Sequence, residues 1–276
     1  MSDSTLRAAA RAIFEADAIL VGAGAGMGVD SGLPDFRGPE GFWRAYPSLK
    51  GRVRFEEMAN PVWFEENPAL AWAFYGHRLH LYRDTVPHVG FELIRRMAGD
   101  RPMFVFTSNV DGQFRKAGFQ ADQIYEIHGS IHHIQRTDGV GPIWSADDVE
   151  VEIDAQRFRA RTPLPRTPDG HPARPNVLMF GDGDWIPDRA DEQAARYQAF
   201  LNRVRGTRLV AIELGAGTAL PSVRHECVMR ADTLIRINPR EAQGPRGTLS
   251  LAMGARAALE GIQAELAHLR EHGRDA

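Results

Sequence analysis

The sequence predicts an α/β protein: a Rossmann-like, mainly parallel sheet with helices on both faces, plus a smaller inserted domain. Three observations predict it. Short, uninterrupted apolar runs alternate with amphipathic helical patterns along the chain. A glycine-rich stretch follows the first apolar run directly. Two long stretches break the alternation and read as inserts.

Leu6, Ala9, Ala10, Ile13 and Phe14 recur at helical spacing, so 5–16 reads as a helix. Residues 18–21, ending at Gly22, read as a buried strand. Residues 43–85 are rich in aromatics (Trp43, Tyr46, Phe55, Trp63, Trp72, Phe74) and turn helical in their second half. They read as a small helical subdomain with its own core. A helix over 88–98 and strands over 103–107 and 124–127 follow. Residues 136–175 hold Pro142, Pro163, Pro165, Pro168, Pro172 and Pro175 and read as a long loop. Strands are expected over 177–180, 209–214 and 233–238, and helices over 188–204 and 254–271. The implied division is a Rossmann-like domain from 1–42, 86–132 and 174–276, with a small domain from 43–85 and 133–173. The active cleft is expected where the inserts meet the sheet edge.

Composition narrows the classes. The 276 residues are enough for a large core without staples. Thirty-three Lys+Arg against 36 Asp+Glu leave a charge of −3, which argues against nucleic-acid binding through a basic surface and against a polybasic membrane anchor. The single cysteine, Cys227, excludes an internal disulfide framework and a Cys₄ or Cys₂His₂ zinc site. Asp3, Glu15 and Asp17 flank the first apolar stretch, which is unlike a signal peptide. No apolar run approaches the roughly 20 residues that span a bilayer. A cytoplasmic protein with no membrane partner is the expectation.

The densest chemical signal runs from Gly22 through Gly24, Ala25, Gly26, Met27 and Gly28 to Asp35, Phe36 and Arg37. Glycines after a strand let backbone N–H groups approach a phosphate. No register gives the Gly-x-Gly-x-x-Gly dinucleotide fingerprint, and the Gly-Lys-Ser/Thr of a P-loop is missing. At the end of the 103–107 strand, Ser108, Asn109 and Asp111 can enter a crevice. Asn109 offers donor and acceptor together, which suits a carboxamide such as nicotinamide, while Asn-Val-Asp-Gly is equally good turn chemistry. His128 ends the next strand and can accept a proton near neutral pH, or merely be satisfied by backbone. Its neighbours His132 and His133 lack the partners of a metal site. Gly215, Ala216 and Gly217 after one late strand, and Asn238 after the last, sit where a dinucleotide's adenosine half would lie.

Four of these motifs in order resemble the sirtuin (Sir2) family of NAD-dependent protein deacylases. The family's Gly-Ala-Gly-x-Ser-x-x-Ser-Gly-Ile-Pro-Asp-Phe-Arg is matched by 24–37, and its Thr-Gln-Asn-Ile-Asp-Gly by 107–112. Its His-Gly is His128-Gly129, and its Arg-Pro-x-Val-Val-x-Phe-Gly-Glu is similar to 174–182. The resemblance implies NAD as co-substrate and an acyl-lysine protein or peptide as partner. It implies that Gly24, Ala25 and Gly26 cradle the pyrophosphate. Asp35, Phe36 and Arg37 would lie on a flexible cofactor loop. Asn109 and Asp111 would hold the nicotinamide end, and His128 would be the general base for a ribose hydroxyl. Phe180, Gly181 and Asp182 would belong to the strand that pairs with the peptide. The implied products are free lysine, nicotinamide and an acylated ADP-ribose.

The departures also matter. The family's four zinc cysteines would fall after residue 134, and none is present, so a metal-free module is expected, with Ile143, Trp144, Val149, Val151, Ile153 and Phe158 as its core. Ser108 replaces a Gln, Gly28 a Ser, and Gly215-Ala216-Gly217 a Gly-Thr-Ser. Three functions follow in order of preference: a lysine deacylase, then an NAD glycohydrolase or ADP-ribosyltransferase using the same site, then an NAD-binding module without turnover.

Overall fold

The structure is a computed structural model that describes residues 2–35, 46, 47, 51 and 53–272. Phe36, Arg37 and Trp43 lie outside the described residues. In chain order the helices are α1 (Ser2–Glu15), α2 (Phe55–Met58), α3 (Trp63–Glu66), α4 (Pro68–Asp84), α5 (Val89–Ala98), α6 (Gln113–Lys116), α7 (Asp188–Arg203), α8 (Ser222–Arg230) and α9 (Ala255–His272). The strands are β1 (Ala18–Ala23), β2 (Met103–Thr107), β3 (Ile124–Glu126), β4 (Gly129–Arg136), β5 (Trp144–Ser145), β6 (Ile153–Asp154), β7 (Arg159–Ala160), β8 (Ala173–Val177), β9 (Leu209–Leu214), β10 (Thr233–Ile237) and β11 (Leu249–Leu251).

Six strands form one parallel sheet in the order β11-β10-β9-β1-β2-β3. β1, β2 and β9 are buried along their whole length, which is why they read as unbroken apolar runs. Successive side chains alternate between faces. Ile19, Val21, Val105 and Ile212 pack with residues of α1, α5 and α9. Leu20, Phe104, Phe106 and Ala211 face Tyr197 and Phe200 of α7 and Val223 and Cys227 of α8. The expected α/β class therefore holds, and the four long helices expected around the sheet form within a few residues of their expected ends.

The region between β3 and α7 departs from expectation. The strand expected over 177–180 is instead Ala173–Val177, and it is not in the parallel sheet. It lies antiparallel to β4 in a three-stranded sheet ordered β5-β4-β8. Pro175 lies within β8, which is an edge strand, where proline is tolerated. Beyond Val177 the chain leaves the ladder, because Arg174 and Met179 N–H both turn back onto the Asp182 carboxylate. The long loop expected over 136–175 carries β5 and the β6–β7 hairpin. The aromatic insert does not keep a core to itself. Trp72, Phe74 and Tyr75 of α4 share one cluster with Ile131, Ile134, Val149, Val151 and Ala173. Trp144, Ile153 and Phe158 pack against it partly buried, while Ile143 is not among its residues. Local chemistry starts α4: the Asn67 side chain accepts from Leu70 N–H at 3.3 Å, and Pro68 sits at the first turn.

Candidate active site

The chain runs outward from β1 to β2 and β3, then returns to β9 and continues outward to β10 and β11. The strand order therefore reverses between β1 and β9, the place at whose carboxyl ends open parallel sheets bind their ligands. Two loops meet there. Gly24 N–H donates to Leu214 O at 3.0 Å and Gly26 N–H to Gly215 O at 3.1 Å. A Cβ on Gly24 would stand 2.7 Å from Ala216 Cα, and one on Gly26 would stand 2.7 Å from Gly215 Cα. Gly215 has φ +59°, and its Cβ would meet Gly26 at 2.4 Å. The glycines are thus required first by contact between the two loops. The Ala25 amide opens the short 3-10 turn Ala25–Met27 and takes no part in joining them. Gly22 serves helix packing: a Cβ there would fall 2.2 Å from Cys227 Sγ of α8.

The β2 end is tied to the same loop. Thr107 Oγ1 donates to Ala23 O at 2.9 Å, Ser108 N–H to Ala23 O at 3.1 Å, and Asn109 Nδ2 to Gly24 O at 3.0 Å. That last bond points the Asn109 carboxamide at the glycine loop and leaves its Oδ1 for a ligand. Asp111 is buried, and its Oδ1 accepts from Gln113 N–H at 2.9 Å. Burial pushes its pKa up to about 6, against the Gln113 hydrogen bond and with help from the Glu126 carboxylate. Two contacts from β4 clamp this turn: Ile131 N–H donates to Val110 O at 3.0 Å, and His132 Nε2 lies 3.0 Å from Asp111 O.

His128 stands where the chain leaves β3 of the large sheet and enters β4 of the small one. Gly129 makes the turn at φ +76°, and a Cβ there would strike Asn176 O of β8 at 2.1 Å. The His128 carbonyl accepts from Leu178 N–H at 3.0 Å. Burial pushes the imidazole's pKa below the usual histidine value, opposed by a backbone contact with Ser108. The ring is therefore neutral near pH 7, the state in which it accepts a proton.

The remaining candidates fall into two groups. Asn238 is fully buried; its Nδ2 donates to Ala216 O, and its Oδ1 accepts from Arg240 and Glu241 N–H, all at 3.0 Å. It shapes the 215–217 loop. Asp35 pairs with Arg240 at 2.5 Å, which ties the stretch after the glycine loop to the turn after β10. On the small-sheet side, Asp182 is engaged by Arg174 through two bonds of 2.7 and 2.8 Å, with both side chains fully buried. Gly181 turns at φ +68°, and the exposed Phe180 ring meets Phe55 edge-on. Phe180 N–H already donates to Ala59 O at 2.9 Å.

Sequence reading missed three supports. His88 Nε2 bonds Met27 O at 3.0 Å and His88 Nδ1 accepts from Gly90 N–H, so one side chain caps α5 and holds the glycine loop. His132 was weighed only as a metal ligand. Arg236, buried, forms a two-pronged pair with Glu213 at 2.7 and 2.8 Å beneath the 215–217 loop. The signal available for that pair was a charged residue inside each of two apolar strands. Among the described residues no group of three or more His, Cys, Asp or Glu is placed to hold a metal ion. Cys227 lies under β1, packed against α8's side of the sheet. The described residues therefore do not bring together the donors of a tetrahedral zinc site. No helix of the described residues is long and apolar enough to cross a membrane.

Comparison with known proteins agrees with this geometry. The model of the Sir2 family matches residues 24–200. An NAD-dependent protein deacylase of Aquifex aeolicus is 30% identical over 226 residues, 79% of this chain and 82% of that protein. One of Deinococcus radiodurans is 30% identical over 273 residues, 94% of this chain and 98% of that protein. A solved Sir2 homolog–NAD complex has a TM-score of 0.70 at 26% identity and covers 95% of this chain and 93% of that one. With the family model matched over residues 24–200 and a relative 30% identical over 94% of this chain, the chain belongs to the Sir2 family.

Proposed function

We propose that the chain is an NAD-dependent protein deacylase that removes acyl groups from lysine side chains. The observation that carries this reading is that the Asn109 side chain is bonded to Gly24 O of the glycine loop, while the buried His128 imidazole has a backbone contact with Ser108, the residue before Asn109. NAD supplies an anomeric carbon whose bond to nicotinamide is broken. Gly24, Ala25 and Gly26 suit its pyrophosphate, and the contact between two backbones at Gly26 and Gly215 makes the narrow cradle. Asn109 Oδ1 and Asp111 orient the carboxamide end. His128 takes the proton of a ribose hydroxyl, and burial around the ring keeps water from competing. Asp35, Phe36 and Arg37 are assigned to NAD binding by the matched motif, and Asp35 is tied to Arg240. Ser108, Gly215, Ala216 and Gly217 line the ribose and adenosine side, with Asn238 acting through the loop it braces.

The substrate enters between the large sheet and the small domain assembled from 43–85 and 133–173. Phe180 and Gly181 border that entry, and Asp182 acts through Arg174 to hold the turn that presents them. The test is incubation with NAD and a panel of acyl-lysine peptides, following nicotinamide and acyl-ADP-ribose by mass. Peptide-dependent formation of both products supports deacylation. Nicotinamide release without peptide would assign NAD hydrolysis or ADP-ribosyl transfer instead. NAD binding without any nicotinamide would leave a binding module.

Two expected results accompany this reading. Gly26→Ala should force the two loops apart and weaken NAD binding by roughly tenfold or more, since backbone rather than a flexible side chain blocks the new Cβ. Gly183→Ala is the control, because nothing lies within 4 Å of its Cβ position. Calorimetric titration of NAD reads both. The small domain should hold its fold without zinc, because its aromatic core and the donors of Arg83 to Ala146 O and Val149 O gather the chain that the missing cysteines would have gathered. Elemental analysis should find far less than one zinc per chain, and stoichiometric zinc surviving dialysis against a chelator would overturn this.

A further inference from the structure

A cavity of about 630 Å³ opens beside β3, the edge strand of the large sheet, beneath α7 and next to α6 and β4. Its volume lies within the range of small-molecule sites. Gly24, Ala25, Gly26, Ser108, Asn109 and His128 do not line it; Asp111 is its common wall with the crevice. Five cations do line it: Arg83, Arg115, Lys116, Arg189 and Arg196.

The charge balance favours an anion. Arg115 donates to Phe119 O, and Lys116 to the carbonyls of Arg83 and Thr85. Carbonyls accept hydrogen bonds but cancel no charge. Of the acids on the lining, Glu126 is engaged by Arg189 and Gln193, and Asp111, its pKa pushed up to about 6 by burial, is still mostly a carboxylate at pH 7. Asp147 is exposed and Glu192 lies 3.9 Å from Arg196, so five cations face four acids on the lining, an excess of one positive charge.

Hydrogen bonding points the same way. Arg189 Nη1, Arg196 Nε and His133 Nδ1 are all buried without a partner. Arg189 and Arg196 are two helical turns apart, so they share one face of α7. His133 faces them from β4; burial and then the nearby Arg189 push its pKa down to about 4, so it is a neutral imidazole at pH 7. Orphaned buried nitrogens are uncommon in a native fold. Three of them on the lining of one basic cavity match a ligand with several acceptor oxygens, and guanidinium forks fit phosphate and carboxylate alike.

We propose that this cavity is a second ligand site, which binds a small molecule bearing a phosphate or carboxylate group independently of the dinucleotide crevice. The test is calorimetric titration of the full chain at matched ionic strength. Potassium phosphate and citrate are separate arms, chloride is the control, and each is run with and without saturating ADP-ribose. Saturable binding of either oxyanion, retained under ADP-ribose, is expected; the tighter arm identifies the class. Arg196→Gln should weaken it roughly tenfold, and Arg115→Gln with Arg196→Gln further. Melting curves on the same samples show that the variants fold, as both side chains reach solvent. No saturable binding in either oxyanion arm overturns the proposal. So does binding abolished by ADP-ribose, which would place the anion on the glycine loop, or binding undiminished in the folded double variant.

Discussion

Replacing His128 with alanine should lower turnover by roughly 100-fold or more, while NAD affinity stays near that of the native chain. In the proposed site the affinity is assigned to the glycine loop and the 215–217 loop, neither of which touches the imidazole in the described contacts. The loss falls on the proton transfer. A pH profile separates this from a structural role. Burial lowers the imidazole's pKa, so the active neutral form should persist below the ordinary histidine value near 6.5. Rate should climb with pH through that lowered titration and then level. In the alanine variant this ascending limb should vanish. If His128 only packed at the strand junction, the variant would lose melting temperature yet keep its rate per folded molecule. Undiminished turnover in a stable, NAD-binding variant would remove His128 from the mechanism.

Asp182→Asn should destabilise the fold by about 3–5 kcal/mol, because it leaves the Arg174 charge buried and unpaired. Both side chains of the pair are fully buried, and the carboxylate also accepts from Met179 N–H at 3.2 Å. Arg174→Met combined with Asp182→Leu removes both charges and should recover most of that loss. Urea unfolding of the three proteins reads the difference. Asp182→Asn within about 1 kcal/mol of the native chain would mean that water reaches the pair. The same variant bears on function. If Asp182 acts through the turn it holds, its loss should raise the KM for peptide while leaving the KM for NAD nearly unchanged.

These two residues also mark how legible the site was. His128, Asn109 and Asp111 could be read because each ends a short apolar run, and strand ends of a parallel sheet open on one edge. The motif that contains Asp182 points to a substrate contact, and nothing local in it marks Arg174 as the partner of that carboxylate. The ion pair depends on a turn that brings residues eight apart in the chain into contact. Asn238 was placed correctly at a strand end, yet all its hydrogen bonds found here go to neighbouring backbone. Local chemistry could not distinguish a contact to ligand from a contact to a loop.

What the sequence by itself determined was the large sheet's alternation, the family and the positions where loops carry chemistry. These follow from apolar periodicity and from turn residues, which act over a few positions. Only the tertiary structure decided that β8 pairs with β4 in a separate sheet, that Gly26 and Gly215 press backbone against backbone, and that His88 and His132 brace the crevice. Each of these joins segments from about 20 to nearly 190 residues apart. Polar strands such as β4, whose side chains carry two histidines, a glutamine and an arginine, become strands only because β5 and β8 supply their hydrogen-bond partners on both sides. Long-range pairing is set by which surfaces remain to be covered once the sheet has formed, and no local pattern encodes that.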